Sequence, residues 1–105
     1  VKAKIWRVED SGGAGPYRLT LGSDFRDDLD DRHSGDGVHP CPQNDDGIGR
    51  RVRSDEICGF NSIQQVKRWF TRDELTGLYA EGFLLKQIEV QKITAVSECQ
   101  VLAVR

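Results

Sequence analysis

The sequence has no long apolar run, few cysteines and no excess of positive charge, and each shortage removes a class of protein. Phe83-Leu84-Leu85 is among its longest apolar runs, far below the ~20 residues that a helix needs to cross a bilayer. No charged-then-apolar leader opens the chain, so the expectation is a soluble protein that remains in the cytoplasm and makes no membrane contact. Cys41, Cys58 and Cys99 are odd in number and widely spaced, which is not the framework of a disulfide-stapled secreted domain. They read as free thiols in a reducing compartment. A formal net charge of −2 predicts no general attraction to nucleic acid or to anionic lipid. Nucleophile elbow, phosphate loop and dinucleotide fingerprint are all missing. Gly12-Gly13-Ala14-Gly15 is followed by Pro16 and a candidate strand where a phosphate-binding loop needs a helix, so it reads as a turn.

What is present is enough for one modest core. At 105 residues, 37% hydrophobic and 30% charged, the chain has room for a single domain spanning 1–105. Residues 1–8 alternate as a half-buried strand, with Val1, Ala3 and Ile5 on one face. Tyr17, Leu19 and Leu21 share a face of a second candidate strand. Ser62 followed by Gln65 is a helix-capping pattern, and Ile63, Val66, Trp69 and Phe70 recur at helical spacing behind it. Thr71 and Glu74 repeat the pattern ahead of Leu75, Leu78 and Tyr79, and Gly82 stands where a left-handed helix stop belongs. Phe83–Val90 and Cys99–Val104 are rich in residues that suit strands and are expected to pair antiparallel across a polar connection. The fold class is therefore α+β: a small, mostly antiparallel sheet with two short helices on one face and a long acidic loop. Ile63, Val66, Trp69, Phe70, Leu75, Leu78, Phe83, Leu85, Val101 and Ala103 are the expected core.

The loop, residues 22–53, holds the densest charge. Asp27, Asp28, Asp30, Asp31, Asp45 and Asp46 repel one another unless a cation or a basic partner offsets them, and they are the candidate binding residues for a basic surface on another protein. Loops this long and poor in core residues are uncommon in small domains and are often functional. A calcium loop does not fit, because Arg32 breaks the ligand spacing after Asp28 and Asp30 and no glutamate closes it. His33, His39, Cys41 and Cys58 are zinc-ligating types, but His39-Pro40-Cys41 leaves one residue between ligands and no second knuckle follows, so no metal is assigned. Arg50, Arg51 and Arg53, with Lys67, Arg68 and Arg72 around Trp69 and Phe70, resemble a base-stacking platform in composition. Since both aromatics lie on the apolar helix stripe, they read instead as core, and the cations as a solvated face.

Trp6-Arg7-Val8-Glu9, Gly15-Pro16-Tyr17, His39-Pro40, Asp46-Gly47-Ile48, Cys58-Gly59-Phe60-Asn61-Ser62, Trp69-Phe70, Gly82-Phe83 and Gln100-Val101 together resemble small uncharacterised proteins encoded by bacteriophages and prophages. The resemblance covers most of the chain and implies an accessory phage protein made in a bacterial cell. A fainter one is to arginine-class ADP-ribosyltransferases, in which an Arg, a Ser and a catalytic Glu occur in the order of Arg7, Ser62 and Glu98. It implies NAD as cofactor, although Glu98-Cys99-Gln100 reverses that family's final pair and Ser62 reads as a cap. The leading expectation is a phage protein that acts by binding a host or phage macromolecule and uses no cofactor. The alternative is a small NAD-dependent transferase.

Overall fold

The computed structural model describes residues 2–16, 29, 33 and 39–105. Strand β1, Ala3–Glu9, is followed by a turn that Asp10 builds: its carboxylate accepts from Gly12 N and Ala14 N, both at 2.9 Å, and Gly13 takes the positive φ that the turn needs. A short 3-10 turn at Pro42–Asn44 precedes strand β2, Glu56–Gly59. Helix α1, Ile63–Trp69, starts where the Ser62 hydroxyl accepts from Gln65 N. Helix α2, Arg72–Ala80, carries a complete capping box, in which Thr71 Oγ1 accepts from Glu74 N at 3.1 Å and the Glu74 carboxylate accepts from Thr71 N at 2.8 Å. Gly82, at φ 92°, stops it. Strands β3 (Leu84–Val90), β4 (Lys92–Val96) and β5 (Val101–Val104) follow.

The α+β class holds, with the strands in two small antiparallel sheets. One pairs β1 with β3, from Ala3 opposite Val90 to Glu9 opposite Leu84. The other has the order β2-β5-β4. Trp6 and Phe60 join the two by exchanging N–H···O bonds of 2.7 Å. The expected pairing of 83–90 with 99–104 is therefore replaced: β3 pairs with β1, and β5 lies between β2 and β4. The supposed polar connection contains β4, whose Ile93 alternates inward between Lys92 and Thr94. At Gln91, whose N–H donates to Val104 O at 2.8 Å, the chain steps from one sheet to the other.

Strand β1 is buried on both faces. Ala3 and Ile5 point to a core between the sheets, packed with Ile88, Val90, Ile57, Ile93, Val101 and Ala103. Trp6 and Val8 point to a second core, where Val66, Trp69, Phe70 and Leu78 of the helical region meet Leu29, Phe60 and Phe83. Each aliphatic side chain so buried contributes about 1.5–3 kcal/mol over its exposed state. Of the expected core, Leu85 is corrected: it lies opposite Val8 on the face toward the helices, but at the end of β3 it is 36% exposed and is not part of the buried cluster. No helix among the described residues is long and apolar enough to cross a membrane.

The candidate strand at 17–21 and the aspartates from Asp24 to Asp36, including Asp27, Asp28, Asp30 and Asp31, lie outside the described residues.

Candidate functional site

Where β1, β2, the end of α1 and the 39–42 segment converge, a partly open cavity of about 690 Å³ enters the molecule. Its walls follow from the fold. The Trp6–Phe60 bridge brings the end of β2 beside β1, which places Arg7 and Val8 opposite Cys58, Gly59 and Phe60. Gly59 is required at this crossing, because a Cβ there would lie 2.6 Å from Ile5 Cδ1 and 2.8 Å from Trp6 O. The end of α1 supplies Trp69 and Phe70, and Pro16, Cys41, Pro42 and Val52 complete the lining, with Cys41 and Val52 exposed.

Rings dominate the inner wall. His33 and His39 stack in parallel, their centroids 3.9 Å apart. Trp69 meets His39 edge-on at 5.0 Å and tilts against Phe60 at 5.6 Å, and Phe60 meets Phe70 edge-on at 6.0 Å. His39 Nε2 lies 2.5 Å from Trp69 O, and since a carbonyl can only accept, that nitrogen carries the proton. His33 Nε2 is 3.0 Å from Glu74 Oε2, so the carboxylate that caps α2 also orients this imidazole.

The charged groups at the cavity are engaged with the protein. Arg7 donates through Nε to Glu9 at 3.0 Å and through NH1 to Cys58 O at 2.5 Å. Glu9, 2% exposed, also receives Arg105 NH2 at 2.7 Å, with Lys86 Nζ at 3.8 Å. Burial pushes the Glu9 carboxyl up, but hydrogen bonds and charge from Arg105 and Arg7 outweigh it and hold the group below the usual carboxylate range. Glu56 is gripped by two parallel bonds from Arg50, of 2.7 and 2.8 Å, and accepts from Thr94 Oγ1 and Arg53 N. These partners hold its carboxyl far below the usual range. Burial pushes the Cys58 thiol up, so at neutral pH it is a thiol and not a nucleophilic thiolate.

The predicted site residues are distributed differently. Asp45 is 6% exposed and is a structural pin, accepting from Ser97 Oγ at 2.6 Å, Gln100 Nε2 at 3.1 Å and Gly47 N at 3.1 Å. Asp46 is exposed. Arg7 lines the cavity, whereas Ser62 is spent on its cap and neither it nor Glu98 is a lining residue. The backbone oxygens of Ser97 and Glu98 are held by the Gln65 side-chain amide, each at 3.0 Å. His33, His39, Cys41 and Cys58 all reach the cavity, yet among the described residues no three or more His, Cys, Asp or Glu side chains are arranged to hold a metal. Trp69 and Phe70 are core, Arg50 is locked to Glu56, and Arg51 donates to Gln43 at 3.1 Å.

Sequence reasoning missed Phe60, Gln100 and Cys58 as parts of one wall. The available signal was the set of short segments that carry the phage resemblance, most of which meet at this cavity. The model of the family described as Bacteriophage T4 Y00F protein matches residues 3–105, and the chain belongs to that family. No curated protein and no solved structure matches it.

Proposed function

We propose that this phage-family protein acts by binding another protein of the host or the phage, and that its cavity receives an apolar or aromatic side chain of that partner. The supporting observation is the cavity itself: about 690 Å³, ringed by Phe60, Trp69, Phe70 and His39, with Arg7 and Glu56 already committed to internal partners. Ligand pockets commonly span about 300–1,000 Å³ and are mostly apolar with a few placed polar groups. The exposed Asp46, with Asp27, Asp28, Asp30 and Asp31 of the acidic segment, supplies charge complementary to lysines or arginines on the partner.

Capture of the partner from phage-infected cells tests this. Cys41 is exposed at the cavity mouth and its side chain makes no cap bond, so Cys41→Trp obstructs entry without disturbing the fold. The partner held by the wild type should be lost from Cys41→Trp, and its capture should weaken with salt in the wild type but less so after deletion of Asp27–Asp31. Equal capture by wild type and Cys41→Trp would remove the cavity from the mechanism. A transferase reading would instead require Arg7, Ser62 and Glu98 around one reacting centre, and no observation favours it over binding.

A further inference from the structure

We infer that the group this cavity accepts is an aromatic side chain bearing a hydrogen-bond donor, an indole or a phenol of a protein partner, and that Gln100 Oε1 is the acceptor that selects it. The inference rests on the reading of the cavity as the partner's docking site and specifies what enters.

Gln100 is 3% exposed and forms part of the cavity wall. Its amide has one possible orientation. Nε2 donates both hydrogens, to Pro40 O at 2.8 Å and to Asp45 Oδ2 at 3.1 Å, and since each of those atoms only accepts, a flipped amide would set oxygen against oxygen. Asp45 is itself held by Ser97 Oγ and Gly47 N, so the amide is clamped. Oε1 is then directed away from these partners. No hydrogen bond from a described residue reaches it, and because Gln100 is a lining residue whose Nε2 is turned to Pro40 and Asp45, we assign Oε1 to the cavity wall.

The surroundings of that oxygen define the donor it suits. Gly59 pairs with Val101, so the next residues outward on the two strands, Phe60 and Gln100, adjoin one another. A ring lying against Phe60 and Trp69 therefore has the Gln100 acceptor within reach of its edge. A hydrocarbon ring entering the same space would displace water from Oε1 and leave the acceptor unpaired, which a site of this kind rejects. An indole N–H or phenol O–H restores the bond while the rest of the ring gains the apolar contacts, which is the amphipathic character of Trp and Tyr.

Indole and benzothiophene have nearly the same shape but differ in the N–H donor. Titrating each into the full chain and following backbone and side-chain amide resonances gives both site and affinity. Both should perturb Phe60 and Trp69, with indole bound roughly tenfold more tightly, the discrimination expected for one neutral hydrogen bond in an enclosed site. The Gln100 side-chain amide signals should shift with indole and stay in place with benzothiophene, a readout that needs no variant. In Gln100→Met the affinity ratio should fall to about one. Equal affinities in the wild type would overturn the donor selection and leave the cavity reading intact. Failure of both probes to perturb the cavity residues would overturn both. Adenosine binding more tightly than indole would assign the cavity to a nucleobase and overturn the protein side chain as its occupant.

Discussion

Ser97 Oγ donates to Asp45 Oδ2 at 2.6 Å across 52 residues of sequence, tying the segment before β2 to the connection between β4 and β5. Ser97 Oγ also accepts from Cys99 N and Gln100 N, both at 3.1 Å, so one hydroxyl organises the whole turn around the aspartate. Asp45→Ala would leave one hydrogen of the buried Gln100 amide without its acceptor and turn the Ser97 hydroxyl back to Gln100 O alone, and should cost about 1–3 kcal/mol. Asp46→Ala, at an exposed neighbour, should stay within about 0.5 kcal/mol. Reversible urea unfolding of the two variants checks the contrast, and equal losses would mean that Asp45 is not an internal pin.

Removing the largest ring from the helical core should be the most damaging large-to-small change. Trp69 is 8% exposed and touches His39, Phe60 and His33, so Trp69→Ala should lose about 3–5 kcal/mol. Leu85→Ala, where the side chain shares the face of Val8 but stays 36% exposed, should lose clearly less. Thermal or denaturant melts would separate them readily.

Acid should weaken the fold through Glu9. Its folded-state value lies below the ordinary 4.5, so the ionised carboxylate contributes stability above that pH, and the contribution is lost as the pH falls toward the folded value. Melting temperature should therefore drop on acidification below about pH 4.5. Glu9→Gln should melt lower than wild type at pH 7 and show a shallower acid dependence. Some dependence should persist, since Glu56 is lowered in the same direction by Arg50 and Thr94. Parallel acid profiles for wild type and Glu9→Gln would contradict this assignment.

A methyl group at the sheet junction should be intolerable. At Gly59 the new Cβ would press on Ile5 Cδ1 and on the backbone oxygen of Trp6, which cannot yield without breaking the Trp6–Phe60 pair. Gly59→Ala should cost at least about 1–3 kcal/mol, the usual range for overpacking. Gly49→Ala meets no atom within 4 Å and should suffer only the strain of its positive φ, so the two variants separate crowding from backbone conformation.

The helices were legible because their signals are local. Ser62 with Gln65, and Thr71 with Glu74, mark the starts within four residues, and Gly82 marks the stop. The pairing of strands was not legible, because Ile5 meets Ile88 and Ile57 meets Ala103 across distances that no periodicity encodes. Strands β2 and β4 are four and five residues long, too short for their alternation to stand out beside charged neighbours. The cavity eluded sequence reasoning for the same reason: Arg7, Cys58 and Gln100 become neighbours only through the sheet junction. Asp45 reads in sequence like its acidic neighbours, since nothing local distinguishes a buried carboxylate from a solvated one. Its partners, Ser97 and Gln100, lie more than fifty residues away.

The pairing of β1 with β3 also sets an order of events during synthesis. Ile5 leaves the ribosome long before Ile88, its partner 83 positions later, has been joined to the chain. At about 5–20 residues per second, roughly 4 to 17 seconds separate the addition of Ile5 from that of Ile88, and the edge of β1 that pairs with β3 is open throughout. The core between the sheets cannot close around it in that interval, because Ile88, Val90, Ile93, Val101 and Ala103 have yet to be added, so a nascent chain halted before β3 presents an unpaired strand to the cell. High contact order of this kind slows folding. Addition of β3 to β5, which supply the partners of β1 and β2, is then the event that commits this chain to its native structure.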